Sequence, residues 1–184
     1  MVALTALWLP VLLSAVVVFI ASSIVHMALP WHSKDFNRFA SEDTALDALR
    51  KLNLAPGDYA APIARTTAEM NSDEYKARVA KGPSVILTVL SPNNSMPINL
   101  VKWFVYLIVV GVFAGYVAGA ALPAGADYMQ VFRITSTVAF AGLALAIWQN
   151  WIWYSRNIGY VVRSTIDALV YALLTGGIFG WLWP

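Results

Sequence analysis

The sequence predicts an all-α membrane protein with four transmembrane helices and a small, mostly helical cytoplasmic insert between the first and second helices. Hydrophobic residues make up 59% of the 184 residues, and the mean hydropathy is +0.64. Charged residues make up only 12%, whereas soluble domains carry roughly 25%. Sixteen of the 22 charged residues lie between Lys34 and Lys81, so the rest of the chain is almost free of charge.

Four segments are long and apolar enough to cross a bilayer, whose hydrocarbon core needs roughly 20 residues of helix. They cover residues 2–29, 100–122, 128–149 and 163–183. The first has no basic start and no small-residue cleavage site, so we interpret it as a retained helix and not as a signal peptide. Pro10 should kink it or locally loosen its outer third. We expect residues 1–32 to supply the first helix of one bundle and residues 98–184 to supply the other three.

The insert, residues 33–97, has the patterns of short amphipathic helices joined by turns. Ser41 is predicted to cap one helix, and a second is expected to begin at Ser72 and to end at Gly82. Residues 55–58 indicate a turn, and residues 85–90 indicate either a short strand or a segment at the membrane interface. Because a segment of this size buries little surface, we expect it to lean on the helix ends or on a partner.

The distribution of Lys and Arg predicts the orientation. If the insert and the segment between helices three and four share one side, that side holds eleven of the twelve basic residues and leaves only Arg133 on the other. The positive-inside rule then places the insert in the cytoplasm and both termini outside. For a bacterial cell this means the inner membrane, crossed several times, with periplasmic termini.

Small residues at four-residue spacing are typical of close helix packing in lipid. They form one stripe in the second helix and one in the fourth: Gly111, Gly115, Gly119, Ala172, Gly176 and Gly180. We expect these stripes to pack against each other or against another chain, although Gly and Ala are also generally common in membrane helices. The stripes favour a non-enzymatic accessory or assembly subunit, either in a homo-oligomer or in a larger membrane protein complex.

Polar side chains inside a membrane are candidates for function because their placement there is costly. His26, Asp167, Gln149 and Asn150 are expected at a similar depth near the inner mouth of the bundle. They predict a polar pocket for a small ligand, a quinone head group or a proton; the alternative is a hydrogen-bonded structural cluster. Arg163 and Asp167 are four residues apart and are expected to form an ion pair along the helix.

Several classes of chemistry find no support in the residue pattern. The chain has no cysteine, which excludes disulfides and thiolate chemistry. Haem b needs two histidines on facing elements, but His26 and His32 lie on one segment. Zinc ligation by His26, His32 and insert carboxylates is possible by ligand type but follows no recognised spacing, so we predict no cofactor and no metal. A net charge of +2 argues against nucleic acid as a partner.

Four short runs carry a resemblance to known proteins: Leu29-Pro30-Trp31-His32, Gly57-Asp58-Tyr59 with Pro62, Trp148-Gln149-Asn150 with Trp153-Tyr154, and residues 179–184. With these runs the chain resembles a group of uncharacterised bacterial four-helix inner-membrane proteins over nearly its whole length. The resemblance implies a bacterial inner-membrane location, with the lipid bilayer as a partner, and it implies no activity or site.

Two hypotheses therefore remain for function. The first is the accessory subunit that packs through its small-residue helix faces. The second is a small transporter or ligand-binding membrane protein that uses the polar cluster to bind a quinone, a lipid or a proton. A ligand-sized cavity beside His26 and Asp167 would favour the second hypothesis, and a tightly packed bundle at that depth would exclude it.

Overall fold

The computed structural model describes all 184 residues, and the fold is helical apart from one pair of strands. In chain order the elements are α1 (Trp8–Ser23), α2 (Glu42–Lys51), β1 (Gly57–Ala61), α3 (Thr67–Asn71), α4 (Asp73–Lys81), β2 (Val85–Val89), α5 (Met96–Ala121), α6 (Tyr128–Ala144), α7 (Trp148–Tyr154) and α8 (Ile158–Trp181). Four helical segments are long and apolar enough to cross a membrane: Leu4–Ala28, Met96–Ala121, Tyr128–Tyr154 and Ile158–Trp181.

The helices begin and end differently from the hydropathy-based expectation. Helix α5 begins at Met96 instead of at residue 100, with Pro97 in its first turn, where the missing N–H costs nothing. Helix α8 begins at Ile158 instead of at residue 163, because the side chain of Asn157 caps it by accepting a hydrogen bond from the Gly159 N–H at 2.7 Å. The first turn of α5 contains Pro97 and Asn99, and Gly159 and Arg163 interrupt the apolar pattern at the start of α8, which explains why hydropathy placed both starts too late.

Pro10 lies near the start of the first long helix. It is the third residue of α1, and a 3-10 turn over Leu4–Leu7 precedes the helix. The backbone thus departs from regular α geometry on the N-terminal side of Pro10, where we expected it to be kinked or loosened.

The chain divides into two compact units, residues 1–37 with 96–184 and residues 38–95. In the first unit, α1 packs on α5 and α8, and α6 packs on the same two helices, so that the four form a bundle. Its interior consists of two clusters of small and branched residues, one around Ala15, Val18 and Ala139 and the other around Leu7 and Phe179.

The small residues of α5 and α8 face neighbouring helices of the same bundle. A Cβ on Gly176 would lie 2.8 Å from the Ser136 Cβ and 2.9 Å from the Phe132 carbonyl oxygen, so α6 and α8 meet closer than any side chain there would allow. A Cβ on Gly119 would lie 2.6 Å from the Val2 carbonyl oxygen. The other stripe members are also buried or in close contact: Gly111 with Val11, Gly115 with Phe179, Gly180 with Tyr128, and Ala172 at 1% exposure.

The second unit contains three short helices and an antiparallel pair of strands. Ser41, Thr66 and Ser72 cap α2, α3 and α4 by accepting hydrogen bonds from backbone N–H groups. Strands β1 and β2 pair from Gly57 with Val89 to Ala61 with Val85. The turn that we predicted over residues 55–58 is therefore partly wrong, because its last two residues begin β1. No residue from 38 to 95 is buried.

Candidate functional site

The site is built on the segment that follows α1. The Leu29 N–H donates to the Ile24 carbonyl at 3.2 Å, which closes a wide helical turn over residues 24–28. Leu29 is then extended, as a residue before proline must be, and Pro30 starts a 3-10 turn that ends at His32. The segment thereby returns towards the bundle and brings Trp31, His32 and Asp35 against α8.

His32 lies at the centre of a chain of polar contacts. Its Nδ1 is 2.5 Å from Oδ2 of Asp35, and its Nε2 is 2.7 Å from Oδ2 of Asp167. The guanidinium of Arg163 donates to Oδ1 of Asp35, with its Nε at 2.9 Å. Each ring nitrogen of His32 thus faces one carboxylate oxygen at hydrogen-bond distance.

The environment of Asp35 favours its ionised form. Burial alone would raise the pKa of this carboxyl, but the hydrogen bonds from Arg163 and His32 and their positive charges outweigh burial and hold the pKa below its ordinary value. Asp35 is therefore held in its negatively charged form between the His32 ring and the Arg163 guanidinium. Its side chain is only 7% exposed, so bulk water screens these contacts weakly.

Asp167 lies in the bundle wall and receives hydrogen bonds from two residues of the segment that follows α1. The indole N–H of Trp31 donates to its Oδ1 at 3.0 Å, and His32 contacts its Oδ2. The carboxylate is 9% exposed. Arg163 binds Asp35 and not Asp167, so the ion pair that we predicted along α8 is replaced by one between two distant parts of the chain.

His26 completes the group. Its ring meets the ring of His32 edge to face, with the ring centroids 4.4 Å apart. One ligand atom from each of His26, His32 and Asp167 lies within 4.8 Å of the other two. Two imidazoles and a carboxylate thus converge on one point at the end of the bundle where α8 begins.

A cavity of about 460 Å³ opens beside this point. Its walls come from α5, α6, α8 and the segment that follows α1: His26, His32, Asp35, Trp103, Tyr106, Leu143, Ile147, Tyr160, Ser164, Asp167, Ala168 and Tyr171. The α8 residues recur at spacings of three and four and so share one face of the helix. The cavity is large enough for a small organic molecule.

Tyr171 is a buried residue of the cavity wall whose hydroxyl group lacks a hydrogen bond. The residue is 3% exposed, and its hydroxyl has no hydrogen-bond partner within the chain. By contrast, the hydroxyl of Tyr106 in the same wall donates to the Gly142 carbonyl at 2.7 Å. A buried hydroxyl without a partner carries a free-energy cost of about 1–3 kcal/mol, so it calls for an acceptor from outside the chain.

The four predicted ligand-binding residues do not all meet. His26 and Asp167 lie together in the cavity wall. Asn150 lines a separate, smaller cavity of about 240 Å³ with Asp35 and Arg156. Gln149 is exposed and contributes to neither cavity. The α-helix of the third span ends at Ala144, and a 3-10 turn over Leu145–Ile147 redirects the chain before α7, which shifts both amides away.

Trp31, His32, Asp35 and Tyr171 were not among the four predicted ligand-binding residues, and His32 was considered only as an unsupported zinc ligand. The signal for Tyr171 was in the sequence, because Tyr160, Ser164, Asp167 and Tyr171 recur at spacings of three and four in the predicted fourth helix and so share one of its faces. Trp31 and Asp35 gave no such signal, since only the reversal at Leu29 and Pro30 brings them to the bundle.

Comparison of the chain with protein-family models, curated protein sequences and solved structures gave no match.

Proposed function

We propose that this chain is an integral membrane protein of the bacterial inner membrane that binds a small ligand in the cavity beside His26, His32 and Asp167. The four helices of sufficient length and apolarity support membrane insertion. The side that carries eleven of the twelve basic residues is proposed to be cytoplasmic, so the termini are periplasmic and the insert is cytoplasmic.

The absence of native cysteine makes this orientation directly testable. A single cysteine is introduced by Asp47→Cys in the insert or by Ala124→Cys between α5 and α6, and both positions are exposed. We expect a membrane-impermeant maleimide to label Ala124→Cys in intact spheroplasts and Asp47→Cys only after permeabilisation. Equal labelling in detergent is the control. Labelling of Asp47→Cys in intact spheroplasts would contradict the orientation.

The observation that carries ligand binding is the buried, unpartnered hydroxyl of Tyr171 in the wall of a 460 Å³ cavity. Most of the remaining wall is apolar and aromatic, including Trp103, Tyr106 and Tyr160, while His26, His32 and Asp167 supply the polar end. An apolar cleft with a few convergent polar groups is the usual form of a small-molecule site.

The wall chemistry favours a planar head group with carbonyl acceptors, of which a quinone is the simplest representative. A carbonyl oxygen would accept the hydrogen bond that the Tyr171 hydroxyl lacks, and the aromatic side chains offer faces for stacking. A strongly anionic head group is disfavoured because the carboxylates of Asp35 and Asp167 lie in the same wall.

Calorimetry with a short-chain benzoquinone and the purified, detergent-solubilised chain tests this function. Tyr171→Phe should weaken binding roughly three- to tenfold, because one hydrogen bond contributes about that much to the affinity. Tyr116→Phe, on the exposed face of α5 and away from the cavity, is the matched control and should bind like the natural chain. Absence of binding, or equal affinity in Tyr171→Phe and the natural chain, would contradict the proposal.

A second proposed function is that of an accessory or assembly subunit, supported by the insert. Its residues 38–95 include no buried residue, and Phe39, Leu52 and Leu90 are at least 60% exposed. A unit without a buried core gains little hydrophobic stabilisation of its own, which favours a partner that covers it. The small-residue stripes support this function less, because they are already occupied within the bundle.

Extraction of native membranes with a mild detergent tests the second function. We expect the chain to migrate in a complex larger than its own mass, and the double variant Phe39→Ser, Leu90→Ser to release it with the helical content of the bundle unchanged. Migration of the natural chain as a monomer would contradict this role.

A further inference from the structure

We infer that His26, His32 and Asp167 form a binding site for one divalent transition-metal ion. One donor atom from each residue lies within 4.8 Å of the others, and the three side chains come from two separate parts of the chain. Tetrahedral coordination with metal–ligand distances of about 2.0–2.1 Å places ligand atoms about 3.3 Å apart. The three donor atoms must therefore approach one another by up to about 1.5 Å when the ion binds.

The donor set determines the class of metal. Two imidazole nitrogens and one carboxylate oxygen suit zinc and the neighbouring first-row divalent ions, as in three-ligand zinc sites and in the two-histidine, one-carboxylate sites of iron. Calcium and magnesium prefer sites made only of oxygen ligands and are therefore not expected here. We take zinc as the reference ion and cobalt as its spectroscopic substitute.

The surrounding contacts are those that orient metal ligands. In metal sites a histidine ligand usually donates its second ring N–H to a carboxylate, which fixes the tautomer and the ring orientation. Asp35 occupies this position, 2.5 Å from Nδ1 of His32, and Arg163 holds Asp35 in turn. The second oxygen of Asp167 receives the indole N–H of Trp31 at 3.0 Å. Nε2 of His32 and Oδ2 of Asp167 contact each other at 2.7 Å, and a bound metal ion would replace this contact.

The contact between His32 and Asp167 also has the form expected of a shared cation position. Their atoms are 2.7 Å apart, which is a hydrogen-bond distance, so without metal a proton lies between them, and Nε2 is its proposed donor. On metal binding, the His32 Nε2–H bond breaks, its proton passes to solvent, and the Nε2 electron pair coordinates the ion, with no change of oxidation state.

Three protein ligands leave a fourth position open, which is the arrangement of metal sites that bind a further molecule. All three ligands line the 460 Å³ cavity, so the open position faces the cavity. The metal site goes beyond the proposed organic ligand and does not depend on it. Tyr171→Phe is expected to leave zinc affinity unchanged, so failure of one proposal is distinguishable from failure of the other.

Calorimetry and cobalt absorption on the full chain test the site. The chain is purified in detergent without a histidine tag, stripped with a chelator and titrated with zinc or cobalt. We expect one ion per chain and the visible bands of tetrahedral cobalt. His26→Ala and Asp167→Asn should abolish these bands, and Asp35→Asn should weaken zinc binding by about 10- to 100-fold, which marks it as a positioning residue.

The control substitution is Asp47→Asn, which removes an exposed carboxylate of the insert and should change nothing. Circular dichroism establishes that each variant keeps its helices. If a cavity variant does not fold, the zinc titration of the natural chain tests the proposal by itself. Absence of stoichiometric zinc binding in that titration overturns the proposal. Retention of the cobalt bands by folded His26→Ala and Asp167→Asn would also overturn it, since the ion would then be bound elsewhere.

Discussion

The Nε2 atom of His32 lies 2.7 Å from Oδ2 of Asp167, although the two residues are 135 positions apart in the chain. This contact joins the segment that follows α1 to α8. Trp31 also donates a hydrogen bond to the Asp167 carboxylate, so two contacts hold this segment against α8 beside the cavity. The contact is therefore both a structural connection and part of the cavity wall.

Arg163 and Asp35 are expected to be energetically coupled. Arg163→Gln leaves the nearly buried Asp35 carboxylate without its cationic partner, and the free energy of unfolding should fall by about 2 kcal/mol. Adding Asp35→Asn should restore part of this loss, because the unpaired charge is then removed. Denaturant titration of the two single variants and the double variant measures the coupling. Strictly additive effects would contradict it.

The free energy of unfolding should depend on pH through Asp35. Its pKa in the folded chain lies below the ordinary value of 3.8, so its contribution is fully present above about pH 4 and is lost as the pH falls through the folded pKa. The stability difference between the natural chain and Asp35→Asn should therefore narrow below pH 4. Chelator is added throughout to keep metal out of the comparison. A constant difference from pH 7 to pH 3 would argue against this charge network.

Removal of the hydroxyl group from two tyrosines in the cavity wall should change the stability of the protein differently. Tyr171→Phe removes a buried hydroxyl without a partner, so the ligand-free chain should keep or gain stability. Tyr106→Phe removes a 2.7 Å hydrogen bond to the Gly142 carbonyl and should cost about 1 kcal/mol. Thermal unfolding in detergent compares them. A clear loss of stability in ligand-free Tyr171→Phe would show that its hydroxyl is already bonded.

Neighbouring glycines of α8 offer a matched test of helix packing. Gly176→Ala places a methyl group 2.8 Å from the Ser136 Cβ and should cost roughly 1–3 kcal/mol by forcing α6 and α8 apart. For Gly177→Ala the nearest atom is 3.7 Å away, so the higher helix propensity of alanine should leave stability unchanged or slightly raised. Thermal unfolding measures both variants. If both substitutions changed the stability equally, the close approach of α6 and α8 at Gly176 would not require glycine.

Hydropathy predicted the four long helices because burial in an apolar environment leaves a strong compositional signal. It misplaced the starts of α5 and α8, because these are set by Pro97 in the first turn of α5 and by the Asn157 cap of α8 and not by hydropathy. The pairing of β1 with β2 depends on contacts between residues about thirty positions apart, such as Asp58 with Thr88, and local patterns do not encode such pairing.

Only part of the candidate site could be predicted, because the rest also depends on contacts between distant parts of the chain. His26 and Asp167 were found because an ionisable group in an apolar span is conspicuous. Asp35 belongs to the charged insert by sequence, and only the turn at Pro30 carries it back to Arg163. Asn150 was displaced because the helix changes its course after Ala144, which has no strong sequence signature.

The wide turn over residues 24–28 makes the site tolerant of the loss of one residue at this place. Its hydrogen bond from Leu29 to Ile24 spans one residue more than an α-helical bond. Deleting a single residue such as Val25 would close this turn to a regular helical turn that covers nearly the same angle around the axis. Trp31 and His32 should then still lie against α8, because the wide turn already holds the extra residue that the deletion removes.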